Sequence, residues 1–313
     1  MLKHAIPNTD LEVSALCYGT AQWGHAVFGR QLDALVNAFR DAGGNFIDTA
    51  HCYACWTPQG AGASERAVAD YLRRNGGRDE MIVATKGGHP SWPGYRTVDR
   101  YMSAGRVGAD IDDSLARLDC DAIDLYLLHR DDLRMEVGEI IEYLNVEVRR
   151  GRIRYFGASN WTSARIAAAN AYAAAHKLQG FVISEPQWSL ACRNPASDPT
   201  LHFLDEADHG WHGRSQMPVM PYASTAGGYF ATQGRKRAEQ FDNPTSRGRL
   251  RRAQQLAAEL GCTPNQVALA YLKYQPFPVV PIIGTSDLGH LGDALGALEV
   301  KLTQAQVEWL RDG

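Results

Sequence analysis

Eight short apolar runs recur along this chain at fairly even spacing, and they limit the available folds more than any other feature. They occupy residues 16–19, 45–48, 81–85, 123–128, 154–158, 181–184, 218–222 and 279–283. Each is too short for a helix, rich in Val, Ile, Leu or Tyr, and bounded by Gly, Pro or Asp, as strands are. Helical periodicity fills intervals between them at 31–43, 64–75, 107–119, 137–150, 162–177 and 247–273. The runs are apolar throughout rather than alternating, so as strands they would be buried on both faces. Strands separated by helices pair in parallel, because only a long crossover returns the chain to the same end of the sheet. Eight such units predict an α/β fold of the (β/α)8, or TIM-barrel, type rather than an open sheet.

Punctuation along the chain agrees with this pattern. Ser64 is a good N-cap, Thr263-Pro264 places Pro at a first helical position, and Gly43-Gly44 and Gly76-Gly77 suit left-handed helix stops. The opening residues 2–13, with Pro7-Asn8-Thr9-Asp10 at their centre, read as a β-hairpin ahead of the first barrel strand, placed to plug its floor. A chain of 313 residues suits one α/β barrel, and no composition shift divides it, so residues 1–313 are expected to form a single domain. Three stretches lack periodicity: 87–106, 190–217 and 223–246. Each follows a strand and would lie on the C-terminal face of a barrel, where long loops serve the active site.

The charge balance narrows the partners. A formal net charge of -3 gives no basic face for nucleic acid, although Arg235-Lys236-Arg237 forms a local basic stretch. No stretch nears the roughly 18 apolar residues of a membrane span, and no apolar segment follows Met1-Leu2-Lys3-His4. A cytoplasmic protein is expected, acting on a small molecule, with its six cysteines reduced, the Asn160-Trp161-Thr162 sequon unmodified and its oligomeric state open. Cys52 and Cys55 form a lone CxxC in a loop, and His202, His209 and His212 lack a carboxylate pattern, so neither group reads as a metal site. Gly60-Ala61-Gly62-Ala63-Ser64 lacks the lysine of a phosphate-binding loop.

Polar residues gather just past the strands. Asp48-Thr49-Ala50-His51-Cys52-Tyr53 follows the second, Thr85-Lys86 the third, His129-Arg130 the fourth and Ser159-Asn160 the fifth. Apolar strands that all deliver polar groups at one end are not a product of packing alone. Together with Pro186-Gln187 and Gly284-Thr285-Ser286, these pieces, in this order, resemble the aldo-keto reductase family over nearly the whole chain.

The resemblance implies an NAD(P)H-dependent enzyme that reduces an aldehyde or ketone, with Asp48, Tyr53, Lys86 and His129 as its catalytic residues. A carbonyl that accepts hydride becomes an alkoxide, so a proton donor is required. Tyr53 would donate, Lys86 would lower its pKa, Asp48 would hold Lys86, and His129 would orient the substrate oxygen. No metal is needed. The resemblance further implies cofactor contacts from Gly19, Thr20, Ser159, Asn160, Gln187, Tyr222, Ser224, Gly284, Thr285, Ser286 and His290. NADPH is the family default. Asp287 and His290 stand where members usually place Lys or Arg, and Ala294 where they often have an adenine-binding Asn, which makes NADH a rival. Trp23, Trp56, Arg130 and Trp161 are the substrate-side candidates, and with Asp131 and Asp132 they suggest a hydroxylated, sugar-like carbonyl. One alternative is a nucleotide-sensing or scaffolding subunit with little turnover. A barrel hydrolase or isomerase would want two carboxylates, which the tyrosine–lysine pairing argues against.

Overall fold

The structure is a computed structural model that describes residues 1–92, 94–96 and 99–313. It opens with an antiparallel hairpin, β1 (Lys3–Ala5) and β2 (Glu12–Ser14). A curled parallel sheet follows, built from β3 (Cys17–Gly19), β4 (Phe46–Asp48), β5 (Ile82–Gly87), β6 (Ile123–Leu128), β7 (Ile153–Ser159), β8 (Ser184–Glu185) and β9 (Ile282–Ile283). Its order is β8-β7-β6-β5-β4-β3-β9.

The remaining stave of the barrel is residues 218–222, predicted as a strand but not laddered as one. Pro218 and Pro221 have no N–H to give to a ladder, so pairing is intermittent. The bonds that remain still close the ring. Ser184 N donates to Pro218 O and Met220 N to Ser184 O on one side; Val280 N donates to Val219 O and Ile282 N to Pro221 O on the other. The barrel is therefore complete, as the eight runs predict.

Between the strands lie α1 (Gly29–Asp41), α2 (Ala63–Asn75), α3 (Ala104–Leu118), α4 (Val137–Arg149) and α5 (Ser163–Ala175), close to their expected positions. Two expectations change. The irregular stretches 190–217 and 223–246 contain α6 (Glu206–Ser215) and the short α7 (Ala238–Phe241). The helical pattern over 247–273 is two helices, α8 (Pro244–Leu260) and α9 (Pro264–Lys273). Gly261 adopts φ 66° and ends the first, while Thr263 accepts a bond from Gln266 N and starts the second. α10 (Leu288–Gly296) and α11 (Gln304–Asp312) complete the chain. The stretch 87–106 remains a loop where described; its Pro93, Thr97 and Val98 lie outside the described residues.

Burial explains why the strands read as continuous apolar runs. Every residue of β6, Ile-Asp-Leu-Tyr-Leu-Leu, is buried, one face towards the barrel axis and the other beneath the helices. The axial core joins Phe46, Leu125, Leu127, Ile183, Met220 and Ile282 to Ile6, Leu11 and Val13 of the hairpin. The hairpin thus closes the N-terminal mouth, and Ser14 N bonds Asn45 Oδ1 at 2.7 Å to hold it there. With the floor covered, the C-terminal mouth is the end of the barrel that opens to a ligand. No helix among the described residues is long and apolar enough to cross a membrane.

Candidate active site

Four strands, two on either side of β6, place polar residues at the height of their C-terminal ends. Asp48 ends β4, Lys86 is the penultimate residue of β5, Ser159 ends β7 and Glu185 ends β8. Parallel pairing sets these heights, with Gly19 opposite Asp48 and Gly87 opposite Leu128, the residue before His129.

Lys86 is fully buried, and its surroundings account for its charge. Its Nζ donates to Asp48 Oδ1 and Oδ2 at 2.5 and 2.6 Å, to Thr49 O at 3.0 Å and to Tyr53 OH at 3.3 Å. Glu185 Oε1 lies 3.4 Å away on the far side. Burial alone would push the Lys86 pKa down, but the two carboxylates and the phenol outweigh it and hold the ammonium charged, well above its ordinary value. Burial pushes Asp48 up, and Lys86 pulls it back part of the way. Glu185 goes well above the usual carboxylate range through burial and the nearby Asp48 charge. Among the described residues its Oε2 has no hydrogen-bond partner, which suits a neutral carboxyl. Asp48 is therefore the ionised partner of Lys86.

The state of Tyr53 differs from expectation. Lys86 does favour the tyrosinate, but burial acts more strongly the other way, and Asp48 and Glu185 add to it, so the pKa rises above its ordinary value. The Lys86 charge is already balanced before it reaches the phenol, and Tyr53 rests as a neutral phenol that keeps its proton. The His129 ring lies 6.0 Å from that of Tyr53, centroid to centroid. Burial, then the nearby Arg130, lower its pKa well below the ordinary value, so it is neutral.

Of these groups Asp48 and Tyr53 open onto a cleft of about 480 Å³, which Gln187, Tyr222, Gly19 and Gly284 line as well, while Lys86, Glu185 and His129 lie behind its wall. At Gly19 a Cβ would come within 2.7 Å of Ile282, so only glycine fits this wall. A second cavity of about 260 Å³, lined by Gly284, Thr285 and His290, shares Gln22, Thr225, Gly227 and Arg237 with the first. The two form one trough running from Tyr53 to the start of α10.

The expected cofactor residues divide along this trough. Gly19, Gln187, Tyr222, Gly284, Thr285 and His290 line it. Asn160 sits behind it at φ 60°, a conformation Asn tolerates. Its amide is occupied, accepting from Tyr222 OH at 2.7 Å and donating to His129 O at 3.1 Å. Ser159 Oγ donates to Glu185 O, Ser224 Oγ to Ile282 O and Thr20 Oγ1 to Asp48 O, so all three hydroxyls tie strands together in the resting site. Ser286 bonds through its carbonyl to Gln31 and does not line the trough.

The substrate-side candidates divide as well. Trp56 is half exposed and meets Tyr53 edge to face at 6.4 Å. Trp23 and Trp161 are only 1% exposed and belong to the core, Trp23 against Tyr18 and Trp161 against Phe181. Arg130 is buried and bonds Thr200 Oγ1 and the carbonyl of His129.

Three further residues stand at this site outside the sequence-predicted set: Glu185, Lys236 and Arg237. Glu185 closes an apolar strand at the rim, the same signal that marks Asp48. Lys236 and Arg237 line the trough at its far end, and neither is in an ion pair among the described residues. Gly227 and Gly228 take positive φ beneath them; a Cβ on Gly227 would lie 2.7 Å from Arg237 Cγ. Asp287, which stands where members usually place Lys or Arg, caps α10 by accepting His290 N at 2.9 Å.

A barrel closed by a hairpin, with lysine, aspartate and tyrosine in contact at the head of a long trough, agrees with the comparisons to known proteins. The family model for the aldo/keto reductase family matches residues 15–312. The chain belongs to the aldo/keto reductase family. Norsolorinic acid reductase B of Dothistroma septosporum is 30% identical, over 96% of this chain and 78% of that protein. An NADP(+) aryl-alcohol dehydrogenase of Phanerodontia chrysosporium is 30% identical over 89% of this chain and 74% of its own length. An uncharacterised oxidoreductase of Bacillus subtilis, YrpG, is also 30% identical, with coverage of 97% and 93%. This aldo-keto reductase is thus an enzyme, an oxidoreductase of a family that reduces small-molecule carbonyls and generally uses NADPH.

Proposed function

We propose that this aldo-keto reductase converts an aldehyde or ketone carried on an aromatic ring to the alcohol, with Tyr53 as proton donor and NADPH as reductant. The observation that carries this is the 3.3 Å contact from Lys86 Nζ to the Tyr53 hydroxyl, at the head of the trough.

When bound in the trough, the nicotinamide supplies the hydride. The trough suits such a dinucleotide: glycines 227 and 228 bring the backbone within reach, and Lys236 and Arg237 offer charge to phosphate. Gln187 and Tyr222 at the near end would hold and stack the ring. Tyr53, a neutral phenol at rest, donates its proton as negative charge grows on the substrate oxygen. Lys86 stabilises the phenolate left behind, and Asp48 keeps Lys86 in place. Neutral His129 donates a hydrogen bond to the same oxygen and sets which carbonyl face is presented. No charge has to be brought in during the step, because the ammonium is already there.

The ring-borne substrate rests on two observations. Trp56 offers an exposed aromatic face beside Tyr53. The relatives named for aryl alcohol and for norsolorinic acid agree. The polar groups behind the sugar-like reading are engaged within the protein, which favours the aromatic one. Arg130 bonds Thr200, Asp131 bonds Arg165 and Asp132 bonds Arg134.

The test is Tyr53→Phe with a panel of aromatic aldehydes, aldoses and steroidal ketones. Reduction should fall about a hundred- to ten-thousand-fold, while the thermal shift produced by NADPH is kept. Near-normal turnover of the variant would refute the mechanism, and turnover of aldoses alone would refute the substrate class.

A further inference from the structure

The residue before the proton donor has no place in the mechanism above, and neither does His89. Both are buried, and together with His129 they form a cluster. Cys52 Sγ lies 3.5 Å from His129 Nδ1, and the His89 and His129 rings meet edge to face at 4.8 Å. One ligand atom from each residue falls within 4.8 Å of the other two. A tetrahedral zinc ion with bonds of about 2.0–2.3 Å holds its ligands roughly 3.3–3.8 Å apart. Small side-chain rotations therefore close the set.

We propose that Cys52, His89 and His129 form a three-ligand Zn2+ site at the catalytic mouth, and that its occupation stops carbonyl reduction. The inhibitory half rests on the role proposed for His129; the site itself does not.

The ligand chemistry selects the ion. One thiolate and two imidazoles suit zinc, and three protein ligands leave a fourth position open to water. The surroundings also prepare His89. Its Nδ1 lies 3.0 Å from Pro90 O, a contact in which the nitrogen must donate. The neutral ring then carries its lone pair on Nε2, and a backbone carbonyl behind the donating nitrogen is the usual support of a zinc-bound histidine. Cys52 enters as a thiol, and on binding its proton leaves to solvent as the S–Zn bond forms. Zinc at His129 would lock that ring in its contact with Cys52 and set a cation and its water beside Tyr53, in the space the substrate carbonyl needs. Carbonyl reduction itself needs no metal, so the ion would act as an off-switch.

Cobalt(II) provides a readout independent of turnover. Protein dialysed against chelator and then titrated with Co2+ should show a near-ultraviolet thiolate-to-cobalt band at one ion per chain, which Zn2+ displaces. Cys52→Ala and, separately, His89→Phe should weaken cobalt binding at least about tenfold. Micromolar Zn2+ should inhibit reduction of 4-nitrobenzaldehyde, chelator should restore it, and each variant, scored against its own metal-free rate, should resist. Absence of the band, or its full survival in Cys52→Ala, would overturn the site. Displacement of cobalt by zinc without loss of reduction would overturn the inhibition. A protein that binds cobalt in this way but reduces no carbonyl would refute the reductase mechanism and leave the metal site standing.

Discussion

Replacing Lys86 by Met separates what this side chain does for the fold from what it does for the chemistry. The ammonium is wholly buried between Asp48 and Glu185, so its loss leaves two carboxyl groups without a cation. Breaking a buried ion pair from one side costs about 3–5 kcal/mol. For a chain of this length that corresponds to a fall in Tm of roughly 5–8 °C. The deficit should depend on pH, and its sign follows from the carboxyls. Without Lys86, Asp48 and Glu185 have folded pKa values raised above their unfolded ones. Groups raised in this way favour the folded state at low pH and lose that contribution as pH rises through the folded value. Urea denaturation of Lys86→Met should therefore show its largest deficit near about pH 8 and a clearly smaller one near about pH 5. Adding Asp48→Asn should recover most of the stability, because no unpaired charge is then left buried. Reduction should not recover, since nothing then stabilises the Tyr53 phenolate. Equal deficits at both pH values, or a double variant less stable than the single one, would refute this account of the charges.

The same reasoning makes a contrast between the two acids. Glu185→Gln should leave stability unchanged or raise it in denaturant titration near neutral pH, because the raised carboxyl it replaces must take up a proton on folding, whereas Asp48→Asn should destabilise by about 3–5 kcal/mol. With Tyr53 raised and His129 lowered, neither titrates near neutrality, so kcat/KM for reduction should stay flat from about pH 6 to 9, while alcohol oxidation, which needs the tyrosinate, should keep rising over that range. A bell centred on neutral pH for reduction would contradict it. Ala at both Lys236 and Arg237 should weaken NADPH binding by roughly 10- to 150-fold, the worth of a lost charge-assisted contact of about 1.5–3 kcal/mol. NADH should be affected much less; equal losses in isothermal titration would mean that these cations do not reach the 2′-phosphate.

Much of this was legible in the chain because the signals are local. The (β/α)8 architecture follows from eight buried runs, and the hairpin from one turn sequence. Asp48, Lys86 and His129 could be picked out because a polar residue at the end of an apolar strand stands out against its neighbours. The misread positions depend on what lies across the barrel. Trp23 and Trp161 are in rim segments by position, yet they lie in the core, packed against Tyr18 and Phe181. The pattern over 247–273 runs across a break at Gly261, and the Thr263-Pro264 helix start that the sequence shows is where the second helix begins. Lys236 and Arg237 looked like an ordinary basic stretch until Gly227 and Gly228 set them over the trough.

The sequence by itself determined the order of elements, the barrel class and the identity of most groups at its mouth, because periodicity, turns and strand ends are properties of neighbouring residues. Only the tertiary structure decided their states. Asp48 and Tyr53, Lys86, and Glu185 come from three separate segments, and burial pushes each acid up while one shared ammonium pulls it down. That balance depends on distances of a few ångströms between strands, and it is what leaves Tyr53 holding a proton.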